Sequence, residues 1–380
     1  MTVYITDIAA FLPNAPVDNE AIEEVLGRIN NLPSRTKKIV LRNNQIQQRY
    51  YAVDPASGRL THSNARLTAE AIRGLKPHAG FQPKEIQCLC CGTTSADVLF
   101  PGHALMVLGE LGMPPCDAVS TAGICLSGIT ALKYAYLNVA AGLSDNAVAT
   151  GSELASSFMR AGFFQAMADP ANDLEKNPIR AFDADFLRWM LSDGAGAVYL
   201  SRQRPADRPA LEIEWFEHLS FAGELETCMY GGGVKLEGGG TAGWRNVEAI
   251  PADQKPYLFN VRQDIKLLDK HIVETMGRTL THAAEKHGLT PEDVDWFLPH
   301  YSSGYFRPRF YEGMRQVGFE IPYEKWFTNL TTKGNTGSAA IYIILDELYR
   351  SGKLRTGQRL LCFIPESARF SHCFMMLKVV

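Results

Sequence analysis

Apolar segments and amphipathic segments alternate along the whole chain. Residues 85–95 (EIQCLCCGTTS) and 294–303 (VDWFLPHYSS) are short, nearly continuous apolar runs that enter a small polar loop, which is typical of buried strands. Residues 18–30 and 261–288 instead repeat their apolar positions with the period of a helix. The alternation predicts an α/β fold in which helices cover the sheets.

Two distant segments resemble each other. Residues 120–142 and 330–352 both place a glycine turn before a helix of similar length, and both are followed by a strand. The pattern suggests a duplicated fold, although any α/β protein repeats a strand, a turn and a helix. The Pro- and Arg-rich segment 202–210 is the best candidate boundary, so we predict two halves, 1–202 and 203–380.

The composition is that of a globular protein with a large core: 380 residues, 46% hydrophobic and 21% charged. It excludes disorder, collagen and a coiled coil. The 38 basic and 41 acidic side chains give no basic excess for nucleic acid. No apolar run reaches the roughly 20 residues of a membrane span, and residues 1–20 show no secretory signal pattern.

The cysteine and histidine usage bears on compartment and metal binding. Eight cysteines are few for this length, so we expect a reduced, cytoplasmic protein. The cysteines of CLCC (88–91) alternate between the faces of a predicted strand and are interpreted as small buried side chains. The nine histidines are scattered, so no metal site is expected.

Cys125 is the first candidate for chemistry. It follows a predicted strand, lies among small residues (TAGICLSGI) and starts a helix. The unpaired N–H groups of a helix N-terminus favour a thiolate and lower the thiol pKa. Small neighbours let a substrate approach, so the position suits a nucleophile. The alternative interpretation is a small buried apolar side chain.

His300 and Asn335 are the second and third candidates. His300 stands at the carboxyl end of a predicted strand, where ligands bind in α/β sheets. Asn335 follows Gly334 at a predicted helix start. Taken alone, the histidine would be a structural hydrogen-bonding group and the asparagine a helix cap. Together with Cys125 they form a thiol, an imidazole and an amide at strand ends or helix starts, which a duplication would bring together at a pseudo-twofold axis.

The motifs around these residues resemble the condensing enzymes of the thiolase superfamily, most closely β-ketoacyl-acyl-carrier-protein synthase III. The motifs, in the family's order, are STAGICLSGITALKYAYLNVAAG with ATGSELAS, then FLPHYSS, then KGNTGSAAIYIILDEL. The resemblance covers nearly the whole chain. It implies a thiolase-like fold, in which two pseudo-duplicated halves form a layered α-β-α-β-α arrangement.

The same resemblance implies the chemistry. Cys125 would accept an acyl group from a thioester, and a second thioester would form a carbon nucleophile that attacks it. His300 Nε2 and the Asn335 side-chain NH₂ would donate hydrogen bonds to the enolate-like oxygen. A second oxyanion hole would use the Cys125 N–H and an N–H from a loop near the C-terminus. No metal or nicotinamide is implied, and the substrates are thioesters of coenzyme A or of an acyl carrier protein.

The family also implies a homodimer and a carrier-binding region. TTSADVLFPGH resembles the dimer-interface loop in which an aromatic side chain, here Phe100, reaches the partner's pocket. Residues 41–54 resemble the segment that contacts the carrier arm, but only Arg49 matches, and Gln47 replaces the second basic residue. Basic side chains after His300 are further candidates for binding an acidic carrier or a phosphate, with a solvated face as the alternative: Arg307, Arg309 and Arg315.

The sequence departs from the family near the C-terminus, where IPESARFSH (364–372) replaces a Gly-rich loop. The Ser367 or Ala368 N–H can still serve the oxyanion hole. Glu366 and Arg369 are interpreted either as a solvated, self-paired couple or as an acid/base pair acting on a more oxidised substrate. Glu153, at the end of another predicted strand, either accepts a neighbouring N–H or shuttles a proton.

These departures resemble the ketosynthases of dialkylresorcinol and stilbene-type pathways, which join two β-ketoacyl thioesters and close a six-membered ring. Ring closure would give the extra charged groups a proton-transfer role. Two alternatives stay open. One is a thioester hydrolase or plain acyltransferase on the same Cys-His-Asn site. The other is an inactive partner subunit, which the complete triad disfavours.

Overall fold

The computed structural model describes residues 1–29, 33–34, 36–163, 187–236 and 240–380. The strands are β1 (Tyr4–Phe11), β2 (Val17–Asp18), β3 (Gln48–Arg49), β4 (Cys88–Thr93), β5 (Asp117–Ala122), β6 (Asn146–Glu153), β7 (Gly194–Ser201), β8 (Leu211–Ser220), β9 (Met229–Tyr230), β10 (Gly233–Lys235), β11 (Thr241–Gly243), β12 (Arg262–Gln263), β13 (Trp296–Pro299), β14 (Arg359–Glu366) and β15 (Ser371–Val379). The helices are α1 (Ile22–Leu26), α2 (Lys37–Asn44), α3 (Asn64–Arg73), α4 (His103–Leu111), α5 (Leu126–Ala140), α6 (Ser156–Met159), α7 (Ile265–His287), α8 (Phe306–Gln316), α9 (Leu330–Lys333) and α10 (Ala340–Arg350).

The main sheet repeats one strand arrangement twice. Its order is β13-β14-β15-β8-β1-β7-β6-β4-β5, and β1 and β8 meet through a short antiparallel pairing. Moving outward from that junction, each side shows two antiparallel pairings and then a parallel one: β1-β7-β6-β4 on one side and β8-β15-β14-β13 on the other. The predicted duplication is therefore confirmed, and β5 is an additional edge strand on the first half.

The helices form layers around the two halves of this sheet. Helices α5 and α10 each contact strands of both halves, so they form a central layer. Helices α3 and α4 cover the outer face of the first half, and α7 covers that of the second. This is the expected α-β-α-β-α order. Segment 202–210 lies between β7 and β8, but the division into 1–202 and 203–380 stays a prediction.

Glycines allow the two halves to touch at the centre. A Cβ added to Gly128 of α5 or to Gly151 of β6 would lie 2.3 or 2.2 Å from the carbonyl oxygen of Ser338. Ser338 belongs to the 3-10 turn that precedes α10. The Tyr342 hydroxyl of α10 donates to the Gly128 carbonyl at 2.8 Å. The starts of α5 and α10 are thus in backbone contact, at the crossing where the candidate residues converge.

The cysteines fit the sequence interpretation of the CLCC segment. Cys88, Cys90 and Cys91 lie in β4 and are fully buried, and all eight cysteines are free thiols. Within the described part of the chain, no helix is long and apolar enough to cross a bilayer.

We predict that Gly151→Ala destabilises the fold by about 3 kcal/mol. The new methyl group would overlap the Ser338 carbonyl, which is a backbone group and cannot rotate away as a flexible side chain could. Urea unfolding of the full chain measures the change. The control is Gly109→Ala in α4, where nothing lies within 4 Å of the added Cβ; it should be neutral or stabilising by up to ~1 kcal/mol. Equal unfolding midpoints for the Gly151 variant and the parent chain would show that the crossing is not tight.

Candidate functional site

Cys125 occupies the turn between β5 and α5, as the sequence predicts. It is the N-cap residue of α5 and is partly buried. Gly123 precedes it with a φ of 155°, and a Cβ there would lie 3.2 Å from a carboxylate oxygen of Glu366. Residues 123–126, which we call the nucleophile turn, are therefore packed directly against the end of β14.

The Glu366 carboxylate binds the nucleophile turn from the other half of the molecule. Its Oε2 accepts the N–H of Ile124 at 2.8 Å and the N–H of Leu126 at 3.0 Å. Burial raises the pKa of Glu366 against the lowering effect of these two hydrogen bonds. The carboxylate thus takes N–H groups that flank Cys125 at the start of α5.

The expectation of a lowered thiol pKa is wrong for this environment. Burial raises the pKa of Cys125 well above its ordinary value, and the nearby Glu366 and Glu153 carboxylates raise it further. The sequence argument assumed that the N–H groups of the helix start are unpaired. A carboxylate already binds two of them, so the turn offers Cys125 less positive charge than a free helix start would.

His300 follows β13 directly, at the carboxyl end of the strand. It is buried, and its backbone N–H donates to the Phe363 carbonyl of β14 at 2.8 Å. Burial lowers the pKa of His300 to about 4. The imidazole is therefore neutral near pH 7, with one ring nitrogen as a donor and the other as an acceptor.

Asn335 lies in an extended segment before the 3-10 turn rather than at the start of α10. Its carbonyl accepts the Ser192 N–H at 2.8 Å, and its N–H donates to Met190 at 3.1 Å. Its side-chain Oδ1 accepts the Gly337 N–H at 3.0 Å. Asn335 is therefore not itself the cap residue, which is Thr336, although its side chain accepts the first N–H of the 3-10 turn. Because the oxygen is used this way, the orientation of the side-chain NH₂ is fixed.

Contacts within and between the two halves bring these three segments together. Glu366 and Phe363 of β14 hold the nucleophile turn and His300, respectively. The turn after Asn335 packs through Ser338 against α5 and β6. The catalytic roles of Cys125, His300 and Asn335 stay predictions, but their segments share one region.

Glu153 mirrors Glu366 at the end of the equivalent strand, β6. It is buried, and its Oε1 accepts the Ser338 N–H at 3.2 Å, the Thr94 N–H at 3.2 Å and the Thr94 hydroxyl. Burial raises its pKa to about 7 despite these donors. The interpretation of Glu153 as an acceptor of neighbouring N–H groups matches this geometry, and its proton-shuttle role stays a prediction.

The residues after β14 are not arranged as a Glu–Arg couple, so both interpretations of that couple are corrected. Arg369 is exposed, and its Nε donates to the Leu225 carbonyl at 3.0 Å, whereas Glu366 turns inward to the nucleophile turn. Ser367 Oγ accepts from Gln263 at 2.9 Å. The Ala368 carbonyl accepts the Cys228 N–H at 2.7 Å.

The carrier-binding prediction for Arg49 is corrected. Arg49 is 0% exposed. Its guanidinium donates to the Trp189 carbonyl at 2.7 Å and to the Asn19 side chain at 2.6 Å. A guanidinium that is fully enclosed and already hydrogen-bonded cannot contact a carrier arm, so Arg49 joins segments of the fold instead.

The basic residues on α8 have partners of their own. Arg307 stacks on Tyr323 with 4.1 Å to the ring centroid. Arg309 stacks on Tyr305 and pairs with Asp269 at 3.3 Å. Arg315 is exposed and pairs with acidic residues, Glu312 and Glu320. For Arg315 the solvated-face alternative fits best, while Arg309 stays a candidate because of its position beside a cavity.

That cavity has a volume of about 730 Å³. Tyr305 and Asp269 line it next to Arg309, and Ser303 connects it to the loop that begins at His300. Other lining residues come from α2, the region before β7, β9 and β10, and sequence reasoning missed them: Val40, Asn44, Met190, Tyr230 and Lys235. No local sequence signal identifies them, because the lining is assembled from segments that are far apart in the sequence.

Phe100 is 79% exposed, and its neighbour Leu99 is 68% exposed. The placement is compatible with the predicted role in a partner's pocket, which stays a prediction. Among the described residues, no group of three or more His, Cys, Asp or Glu side chains could hold a metal ion.

Comparisons with known proteins give consistent matches. A family model described as 3-oxoacyl-[acyl-carrier-protein (ACP)] synthase III C terminal matches residues 284–363, and one described as beta-ketoacyl synthase, N-terminal domain, matches residues 101–206. A beta-ketoacyl-[acyl-carrier-protein] synthase III from Ruegeria pomeroyi is 25% identical over 359 residues, covering 93% of this chain and 92% of that protein.

Solved structures share the fold at lower sequence identity. A variant of OleA from Xanthomonas campestris superposes with a TM-score of 0.76 at 20% identity, covering 99% of this chain and 98% of that one. AbyA1, described as a tetronic acid condensing enzyme, superposes with a TM-score of 0.74 at 20% identity, covering 99% of both chains. This structural similarity establishes the fold of the chain.

We predict a pH-dependent stability difference between the parent chain and Glu153→Gln. The Glu153 pKa is about 7 in the folded chain against an ordinary 4.5, so the folded chain keeps a proton that the unfolded chain releases. Stability from this group is complete below pH 4.5 and is lost as pH rises through about 7. Glutamine keeps an acceptor oxygen but does not ionise, so the variant should gain roughly 3 kcal/mol relative to the parent over that range.

Urea unfolding of both proteins at several pH values measures this difference. Glu110→Gln, which changes an exposed carboxylate on α4, is the control and should have little effect on the free energy of unfolding. A constant difference between Glu153→Gln and the parent chain across this pH range would contradict the prediction.

Proposed function

Since this chain is a condensing enzyme of the β-ketoacyl-acyl-carrier-protein synthase III type with the thiolase fold, we propose that it joins two acyl thioesters by Claisen condensation with Cys125 as the acyl acceptor. The resemblance, the fold and the acyltransferase class predicted from the sequence are confirmed. The observation that supports the proposed site best is the crossing of α5 and α10, which places the nucleophile turn beside the turn that follows Asn335.

The first step transfers an acyl group to Cys125. The sulfur forms a bond to the thioester carbonyl carbon, the carrier sulfur leaves, and the thiol proton ends on the departing carrier thiol. The Cys125 N–H is the proposed first donor to the tetrahedral oxygen. The Ala368 N–H is the proposed second donor, since the Ala368 carbonyl is anchored by Cys228.

The second step forms the carbon–carbon bond. The α-carbon of a second thioester gives up a proton, which ends on the Cys125 sulfur when that sulfur leaves, and negative charge develops on the thioester's carbonyl oxygen. A neutral His300 and the Asn335 NH₂ can both donate hydrogen bonds to that oxygen. The carbon then attacks the acyl group on Cys125, which leaves as the free thiol and gives a β-keto product. The imidazole is a neutral donor because burial lowers the pKa of His300 to about 4.

The carrier is coenzyme A or an acyl carrier protein, as for enzymes of this type. We propose that its arm enters through the 730 Å³ cavity, because the cavity adjoins the loop that begins at His300. Arg309 stands at the rim between Tyr305 and Asp269 and is the proposed contact for an acidic carrier surface. Arg307 is a second proposed contact.

Ring closure after condensation is a further proposal for this chain. Glu153 and Glu366 both lie close enough to Cys125 to raise its pKa, and a carboxyl with a pKa of about 7, such as Glu153, can give or take a proton near neutral pH. A thioester hydrolase on the same residues is the rival activity, and an inactive partner subunit is the rival role. The eight free thiols support the cytoplasmic location that the sequence predicts.

We also propose a homodimer built on the β5 edge. β5 is the outermost strand on its side of the sheet, and exposed apolar side chains lie on the segments around it: Val98, Leu99, Phe100, Leu105, Tyr134 and Leu137. An open strand edge beside an apolar surface is suited to pairing with a second copy. In such a dimer Phe100 would reach the partner's pocket.

We predict that acyl thioesters add one acyl mass to Cys125 and that a second thioester converts this form to a β-keto or cyclised product. Intact-protein mass spectrometry follows the first step, and product mass spectrometry with a panel of simple and β-ketoacyl thioesters follows the second. His300→Ala or Asn335→Ala should still load but should condense about 10²–10³-fold more slowly, as expected for losing one oxyanion donor.

Cys125→Ser is the control for loading. An equal mass gain in that variant, or none in the parent chain, would reject Cys125 as the nucleophile. Free acid as the sole product would favour the hydrolase, and loss of water beyond the condensation mass would indicate ring closure.

We predict that Phe100→Asp converts the dimer to a monomer, because a buried unpaired carboxylate is costly at an apolar interface. Light scattering coupled to size-exclusion chromatography measures the mass. Phe259→Asp is the matched control, since Phe259 is another exposed phenylalanine on the other half. A parent chain that is already monomeric, or the same mass for both variants, would contradict the proposed interface.

A further inference from the structure

Glu366 links the two halves at the nucleophile itself. It is the last residue of β14, and the two N–H groups it accepts belong to the residues directly before and after Cys125. The sequence separation is 240 residues or more, so this contact depends on the folded arrangement of both halves.

The contact has a counterpart that shows it is part of the architecture. β6 and β14 occupy equivalent places in the two halves, both have eight residues, and both end in a glutamate. Glu153 of β6 accepts the N–H of Ser338, in the turn that starts the opposite half's central helix. Glu366 of β14 likewise accepts N–H groups from the turn that starts α5, the central helix of the first half. Only the Glu366 turn carries the thiol.

The electrostatic surroundings of Cys125 are dominated by negative charge. The charged groups that act on the Cys125 thiol are Glu366 on β14 and Glu153 on β6. The His300 imidazole follows β13, and the Tyr342 hydroxyl of α10 is bonded to the Gly128 carbonyl. Both carboxylates raise the pKa of Cys125, and Glu366 has the larger effect of the two. The buried histidine is neutral, so it supplies no compensating positive charge.

We propose that Glu366 is a positioning residue for acyl loading: its carboxylate holds the nucleophile turn in place, and its charge keeps the Cys125 sulfur protonated until a thioester is bound. The inference deepens the proposed function, because it rests on Cys125 being the nucleophile. In the resting site the thiol is protected from oxidants and alkylating agents, which react with thiolates. During loading the thiol proton is passed on and ends on the carrier sulfur that leaves.

The test separates two roles of the Glu366 carboxylate, namely accepting the two N–H groups and carrying a negative charge. In Glu366→Gln the amide oxygen can still accept both N–H groups, so the turn should keep its position while the charge is lost. The alkylation rate of Cys125 by iodoacetamide should rise about tenfold near pH 7.5, because losing one nearby negative charge shifts a thiol by about one pKa unit. Peptide mass spectrometry distinguishes Cys125 from the other seven thiols.

Two further variants make the result specific. Glu153→Gln removes the second carboxylate's charge without touching the nucleophile turn, and it should accelerate alkylation less than Glu366→Gln does. Glu366→Ala removes both the charge and the acceptor, so it should also lose acyl loading, because the Ile124 and Leu126 N–H groups are left without their partner.

The outcomes separate this inference from the proposed function. If the parent chain loads an acyl group on Cys125 but Glu366→Gln shows an unchanged pH profile of alkylation, or one displaced to higher pH, the inference is overturned and the function stands. If the parent chain takes up no acyl group on Cys125, the proposed function fails whatever the alkylation profile shows. Faster alkylation in Glu366→Gln with retained loading supports the inference.

Discussion

The site depends on direct contact between the backbones of two halves that are far apart in sequence. The Ser338 carbonyl lies where a side chain on Gly128 or Gly151 would have to be. No side chain larger than hydrogen fits at these positions, and the starts of α5 and α10 can therefore cross without a gap. The crossing brings the nucleophile turn close to the turn that follows Asn335, while pairing of β13 with β14 positions His300.

Burial at the crossing determines the charge state of the site. It raises the pKa of Cys125 and of both neighbouring carboxyls and lowers that of His300. In each case the low-polarity surroundings shift the titration toward the neutral form, while the two carboxyls, once ionised, supply the negative charge beside Cys125. A site of this kind can donate hydrogen bonds to a developing oxyanion without first having to be protonated, and this suits a reaction whose intermediates carry negative charge.

The sequence predicts the parts of this arrangement that depend on local pattern. Cys125, His300 and Asn335 lie near the strand ends and helix starts where they were expected, because strand–turn–helix signals are short in range. Long-range contacts escape prediction. Arg49 sits in a polar segment that suggests exposure, yet its acceptor is the carbonyl of Trp189, 140 residues away. The acidity of Cys125 was misjudged for the same reason, since the carboxylate that reverses it comes from the opposite end of the chain.

The paired glutamates also make the two halves of this duplicated fold depend on each other. Each half supplies the carboxylate that accepts the N–H groups of a turn in the other half. Neither half can therefore be deleted or expressed alone without leaving N–H groups of the remaining half without a hydrogen-bond acceptor. A substitution at either strand end therefore affects a turn in the opposite half of the chain. The two strand ends nevertheless differ, since Glu366 lies at the turn that carries Cys125 and Glu153 lies at a turn without a thiol.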